Sequence, residues 1–235
     1  MKWKEPISVI IPFYNEKDRV AETFMIVDSF LKAKFETYEI IPVDDGSDDI
    51  TQDNICNFIM ACNYQNIKPL FYITNYGKGH AIRRGLLNAK HNLIMILDAD
   101  LSVQPINILK FMDRNSKRLT KPILCLGQRN QIVKQGQVRL FLGDVFRWLV
   151  SKIIEKPIKD TQCPYKILYN IDKELIKNMV IDGFAYDVEL IRIAEINKIK
   201  IFTQNVPYFN DENSSVTLPK IIRMAYDLIR IKIKY

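Results

Sequence analysis

Three short apolar runs, each stopping abruptly on a polar cluster, restrict this chain's fold more than any other feature. Ile7–Ile11 runs into Pro12-Phe13-Tyr14-Asn15-Glu16, Tyr38–Val43 into Asp44-Asp45-Gly46-Ser47, and Leu93–Leu97 into Asp98-Ala99-Asp100. Runs this short and rich in β-branched residues read as buried strands rather than helices. Between the first two, Val20, Phe24, Val27 and Leu31 recur at helical spacing. A helix near Asp53–Cys62, a strand Pro69–Ile73, the loop Asn75-Tyr76-Gly77-Lys78-Gly79 and a helix Ala81–Ala89 continue the alternation. Strands alternating with helices predict an α/β fold: a Rossmann-like, mostly parallel sheet flanked by helices, with ligands at the carboxyl ends of the strands. Every polar motif in this half falls at such an end.

The second half is less regular. It carries a strand near Ile123–Leu126, an amphipathic helix near Leu140–Ile154, a turn-rich segment with Asp160-Thr161-Gln162-Cys163-Pro164, and a helix over about Tyr186–Asn197. No repeat or linker separates the halves, so a single domain over 1–216 is expected, followed by a tail at 217–235. Plotted at 100° per residue, Leu218, Ile221, Ile222, Ala225, Leu228, Ile229 and Ile233 fill one arc of that tail. Lys220, Arg223, Asp227, Arg230 and Lys234 fill the other, which makes a basic amphipathic helix.

Composition enters through charge. The formal +7 is uneven: residues 1–113 hold 12 basic and 15 acidic side chains, 114–159 hold 11 and 2, 160–216 hold 6 and 9, and 217–235 hold 5 and 1. The excess of +9 and +4 therefore sits in two segments rather than over the whole surface, which argues against a generic nucleic-acid binder. No run approaches the roughly 18 apolar residues of a membrane span, and the N-terminus lacks a signal-peptide core. Four cysteines without C-x-x-C spacing point to a reduced, intracellular protein with no zinc site.

Two carboxylates after a buried strand, Asp98 and Asp100, need a cation or donors, and a divalent metal is the simplest partner; a helix cap or solvated turn is the alternative. Asp44-Asp45-Gly46-Ser47 reads equally as an Asx-turn. The Gly77-Lys78-Gly79 loop suits a phosphate, held by backbone N–H groups and an ammonium, yet it is neither a Walker loop nor a G-x-G-x-x-G fingerprint. His80 and His91 are isolated, and no G-x-S-x-G is present, so a nucleophile triad is not expected.

In order and spacing these segments resemble the family-2 glycosyltransferases of the GT-A fold. The likeness rests on Ser8 to Glu16, Val43 to Ser47, Gly77-Lys78-Gly79 with Arg83 to Gly85, and Asp98-Ala99-Asp100-Leu101-Ser102. Gly127-Gln128-Arg129, Lys159 to Cys163 and Tyr186-Asp187-Val188-Glu189 look like the polyprenyl-phosphate (dolichyl-phosphate) glucose and mannose synthases, closer to the glucose branch. The resemblance implies that Pro12, Tyr14, Glu16, Val43 and Asp45 hold the base and ribose of a nucleotide sugar. It implies Lys78 and Arg129 at the phosphates, Asp98 and Asp100 at Mg²⁺ or Mn²⁺ and the diphosphate, Ala99 as the backbone between them, and Asp187 with Glu189 below the acceptor site. Pro164-Tyr165 and Ser214-Ser215-Val216 depart from the family pattern, and Lys220 could replace a missing lid lysine.

The implied reaction is an inverting transfer of glucose or mannose from a UDP- or GDP-sugar to a polyprenyl phosphate. Asp100 would act through the metal, and Asp187 would be the first candidate base if the acceptor were a saccharide or protein hydroxyl instead. A lipid phosphate needs little base help and would be drawn to the +9 segment. The helix 140–154 and the tail would then lie on the cytosolic face of a membrane, with a small membrane subunit as a possible partner and no nucleic acid.

Overall fold

The computed structural model describes residues 2–62, 65–115, 119–130, 146–209 and 218–235. Its chain order is β1 Ile7–Phe13, α1 Val20–Lys34, β2 Tyr38–Asp45, α2 Thr51–Cys62, β3 Leu70–Tyr72, α3 Lys78–Asn88, β4 Leu93–Ile96, α4 Ile108–Asn115 and β5 Ile123–Arg129. There follow α5, whose described part is residues 146–150, then β6 Lys166–Tyr169, α6 Lys173–Lys177, α7 Tyr186–Ile196, β7 Lys200–Val206 and α8 Leu218–Lys234.

These strands form one seven-stranded sheet in the order β3-β2-β1-β4-β6-β5-β7. β1 lies parallel to β2 and β4, with Ile10 opposite Ile41 on one side and Ile96 on the other. Only β6 runs against its neighbours β4 and β5. The expected mostly parallel architecture is therefore present. Residues alternate across it: Ile10, Ile41, Val43 and Ile96 face α3 and α7, whereas Val9, Ile11, Ile40 and Met95 face α1 and α4. Both faces are covered, which is why the strands read as continuous apolar runs rather than alternating ones.

Where the sequence expectation differs, there are physical reasons. Strands β6 and β7 were not anticipated, because β6 is four residues long and opens on a lysine, and β7 has the alternating exposed and buried pattern of a sheet edge. The helix expected over 140–154 is helical at 146–150 and turns at 151–153, while 140–145 lies outside the described residues. The tail is a helix, but its buried stripe is not the plotted arc. Met224, Asp227, Leu228 and Ile231 are buried, while Ile229 is 56% and Ile233 82% exposed. The helix has two apolar stripes, and the one seated on the domain leaves Tyr226, Ile229 and Ile233 outward.

The contact between α3 and β1 is close enough to need a glycine. A Cβ on Gly85 would come within 2.5 Å of Ile10 Cγ2. Gly85→Val is therefore expected to lower unfolding stability by about 1–3 kcal/mol through overpacking. A urea titration that left the midpoint unchanged would contradict this contact.

Candidate active site

Because β1, β2 and β4 are parallel, their carboxyl ends meet at one edge of the sheet, and there the chain encloses a cavity of about 460 Å³. Pro12, Tyr14 and Glu16 line it from the end of β1, and Asp45 from the end of β2. Asp98, Ala99 and Asp100 line it from beyond β4, and Lys78 from the start of α3.

Local structure fixes each of these groups. The two readings of Asp44-Asp45-Gly46-Ser47 divide between its carboxylates. Asp44 is fully buried and accepts from the Ser47 N–H at 3.3 Å in an Asx-turn, while Asp45 turns toward the loop after β3. Asp45 accepts from the Gly77 N–H at 2.6 Å and the Tyr76 N–H at 3.2 Å. Burial raises its pKa, and these two donors partly offset that. The main chain between the two aspartates is anchored by Thr23, whose hydroxyl donates to the Ala99 carbonyl at 2.6 Å. Leu101 follows in the left-handed region at φ 46°, a conformation costing a leucine about 1–2 kcal/mol, and its side chain is buried. The strained turn and the Thr23 anchor hold Asp98 and Asp100 toward the cavity.

Lys78 donates to Asp98 Oδ2 at 2.6 Å. Burial works against its charge, but Asp98 together with Asp187 and Asp100 raises its pKa above the ordinary lysine value. The other oxygen, Asp98 Oδ1, is buried without a hydrogen-bond partner among the described residues. Asp100 Oδ1 accepts from the Ser102 N–H at 2.9 Å, and its Oδ2 lies 4.0 Å from Arg19. An orphan carboxylate oxygen beside a second carboxylate is a donor set that fits a hard divalent cation. No cluster of three metal-ligating side chains exists among the described residues.

The loop before α3 departs from its expected use. The Gly77 amide is taken by Asp45, and those of Gly79 and His80 donate to the Asp182 carbonyl at 2.7 and 3.2 Å. Gly79 allows this approach, since a Cβ there would fall 2.5 Å from the Ile181 carbonyl oxygen. Those amides bind protein rather than phosphate, and from this loop the lysine ammonium carries the positive charge.

Three expected site residues lie outside the cavity wall. Val43 is fully buried in the core on β2. Arg129 makes a two-pronged ion pair with Asp160, at 2.7 and 2.8 Å, and stands over the ring of Tyr208, which does line the cavity. Asp187 is 5% exposed and pairs with Lys166, itself 1% exposed, at 2.7 Å. Burial raises the Asp187 pKa, and Lys166 and Lys78 oppose the rise. Its neighbour Glu189 accepts from the Val180 and Ile181 N–H groups at 2.8 and 2.9 Å, which fixes the segment that receives α3. The acidic pair of α7 thus supports the floor from below. Residues of the far wall, Gly183, Phe184, Arg223, Met224 and Asp227, were not anticipated. The side chain of Lys220 and residues 214–216 lie outside what the structure describes.

A sequence profile of glycosyl transferase family 2 matches residues 8–192. The chain belongs to this family. Among its relatives, the dolichyl-phosphate beta-glucosyltransferase of Saccharomyces cerevisiae is 30% identical over 97% of this chain and 75% of its own length. The enzymes of that name from Dictyostelium discoideum and Homo sapiens are 30% and 28% identical, over 97% and 99% of the chain and 74% and 78% of theirs. The fold of this family-2 member is similar to that of Mycobacterium tuberculosis glucosyl-3-phosphoglycerate synthase, solved with Mn²⁺, UDP-glucose and phosphoglyceric acid. The TM-score is 0.70 at 15% identity, over 98% of this chain and 79% of that one. Mannosyl-3-phosphoglycerate synthase from Rubrobacter xylanophilus gives 0.65 at 16%, over 97% and 73%. The GT-A architecture is thus shared.

The buried pair below the family's carboxylate motif gives a stability test. Lys166→Met removes the ion-pair partner of the buried Asp187, and should cost about 3–5 kcal/mol in chemical denaturation. Lys166→Met with Asp187→Leu should recover most of that loss. An unchanged midpoint in the single variant would show that the pair does not support the floor.

Proposed function

We propose that this family-2 glycosyltransferase moves glucose from UDP-glucose to dolichyl phosphate with inversion at the anomeric carbon. The observation that carries the reading is the Lys78–Asp98 contact at the cavity floor, where an ammonium meets a carboxylate whose second oxygen is buried and unsatisfied. This is a seat for a diphosphate with a divalent cation. The names of relatives aligned over nearly the whole chain supply the sugar and the acceptor.

In this reading Asp45 and the end of β1 hold the nucleoside, and Asp98 and Asp100 hold Mg²⁺ or Mn²⁺ against the diphosphate. The cation supplies Lewis-acid stabilisation of the leaving group. A phosphate oxygen of the lipid attacks the anomeric carbon as the bond from that carbon to the diphosphate oxygen breaks. Lys78 stays beside the departing diphosphate as its charge grows. The acceptor is already an anion near neutral pH, so no proton must be removed, in keeping with the burial of Asp187 on Lys166. Arg223 lines the far wall and would supply the acceptor phosphate with a cation in place of the lid lysine.

The acceptor's lipid tail requires a membrane surface, although no helix among the described residues is long and apolar enough to cross one. We assign the contact to the outer stripe of α8, where Tyr226, Ile229 and Ile233 are exposed beside Lys232 and Lys234. Trp148, 59% exposed with Lys152 over its ring, adds a second anchor.

The test is direct. With UDP-glucose, Mg²⁺ or Mn²⁺ and dolichyl phosphate, the protein should form a glucosyl lipid, EDTA should stop it, and Asp100→Ala should lower the rate by at least a hundredfold. Glucosylation of a soluble hydroxyl acceptor without any lipid product would overturn the acceptor, and full activity of Asp100→Ala would overturn the role of the carboxylates.

A further inference from the structure

Asp227 is the sole acidic residue between 217 and 235, a stretch with five basic ones. An amphipathic basic helix would be expected to keep a lone carboxylate in solvent, where it costs nothing to hydrate. Instead Asp227 is only 3% exposed and forms part of the cavity wall. Its Oδ1 makes a loose 3.4 Å contact with Arg230, and its Oδ2 is buried without a hydrogen-bond partner among the described residues. The opposite backbone accommodates it: Gly183 has no side chain, and a Cβ there would stand 3.0 Å from that oxygen.

Buried carboxylate oxygens are nearly always satisfied, because leaving one bare costs the full desolvation of the group. Asp227 belongs to the cavity wall, so a small turn of its side chain away from Gly183 would let a bound ligand satisfy that oxygen. The chemistry of that ligand group follows from the charge. A carboxylate repels a phosphate and accepts from a hydroxyl, so neither the diphosphate nor the lipid phosphate suits it. Of the remaining hydrogen-bond donors, those of the base and ribose are taken by the end of β1 and Asp45 in the reading above, which leaves the hydroxyls of the hexose. The orphan oxygen of Asp98, on the floor, has a second cavity-lining carboxylate beside it in Asp100 and suits a cation, whereas Asp227 has the guanidinium groups of Arg230 and Arg223 beside it, and the nearby Asp182 does not line the cavity.

We propose that Asp227 reads the donor sugar: its free Oδ2 accepts a hydrogen bond from a hydroxyl of the hexose, so that the C-terminal helix closes the sugar end of the site. The inference rests on the nucleotide-sugar reading above. It makes α8 a part of donor recognition as well as a membrane-facing element, and it places a specificity residue 35 positions beyond the end of the family match at residue 192.

Calorimetric titration of the whole chain with UDP and with UDP-glucose, both with Mn²⁺, separates sugar from nucleotide. Wild-type protein should bind UDP-glucose more tightly than UDP. Asp227→Ala should retain UDP affinity within about twofold and lose about tenfold to a hundredfold for UDP-glucose, the range of one hydrogen bond to a charged acceptor. Asp227→Asn, which keeps an acceptor oxygen of the same shape, should fall between. Arg230→Gln removes the partner of Oδ1 and should leave the preference for UDP-glucose intact. Unchanged UDP-glucose affinity in Asp227→Ala would overturn the proposal while leaving the donor reading untouched. Equal losses for UDP and UDP-glucose, or the same selective loss in Arg230→Gln, would show that the carboxylate only anchors the helix. A wild-type protein that binds neither ligand would overturn the donor reading and this inference together.

Discussion

The site depends on how the fold tolerates negative charge at the end of a buried sheet. Asp45, Asp98, Asp100 and Asp187 all gather at the carboxyl edge of β1, β2 and β4, and each would be costly there if left alone. Two lysines make the arrangement possible. Lys166 neutralises Asp187 beneath the floor, and Lys78 meets Asp98 at its surface. The alternation of carboxylate and ammonium leaves uncompensated oxygens where a cation and a substrate would enter. A buried ion pair of this kind adds little net stability compared with apolar packing. Its value is positional, since it fixes which carboxylate turns inward to lysine and which outward to ligand.

That arrangement explains why the backbone around the site is so heavily tied. Thr23 holds Ala99, Asp45 holds the amides of Tyr76 and Gly77, Asp182 receives those of Gly79 and His80, and Glu189 receives those of Val180 and Ile181. Charges this close lose their effect if they shift by an ångström, and preorganised electrostatics of this sort is the largest contribution an enzyme makes to a leaving group. Several motif residues thus hold the backbone of the site as well as lining it.

Much of this was legible in the sequence because the first half obeys one rule. Each apolar run is a strand with both faces covered, and each polar cluster at its end is at the cavity. Eight of the expected residues line it: Pro12, Tyr14, Glu16, Asp45, Lys78, Asp98, Ala99 and Asp100. The sequence is silent on tertiary contacts, which put Arg129 and Asp187 outside the cavity wall. Nothing in the spacing of Asp187 reveals that Lys166 arrives from an antiparallel strand to bury it, and Arg129 gives no sign that Asp160 will claim its guanidinium. Asp227 fell on the polar arc of a helical plot because two apolar stripes compete on α8, and only packing against the domain decides between them. A lone acid in a basic helix was the available signal.

The central claim is a single displacement at the anomeric carbon by an anionic lipid phosphate, with no covalent enzyme intermediate and no general base. The anomeric configuration of the product tests it most directly. Starting from UDP-glucose, which is α-linked, and dolichyl phosphate, nuclear magnetic resonance of the isolated glucosyl lipid should show the β anomer. An α-linked product would require a double displacement or a front-side attack, and would contradict the account.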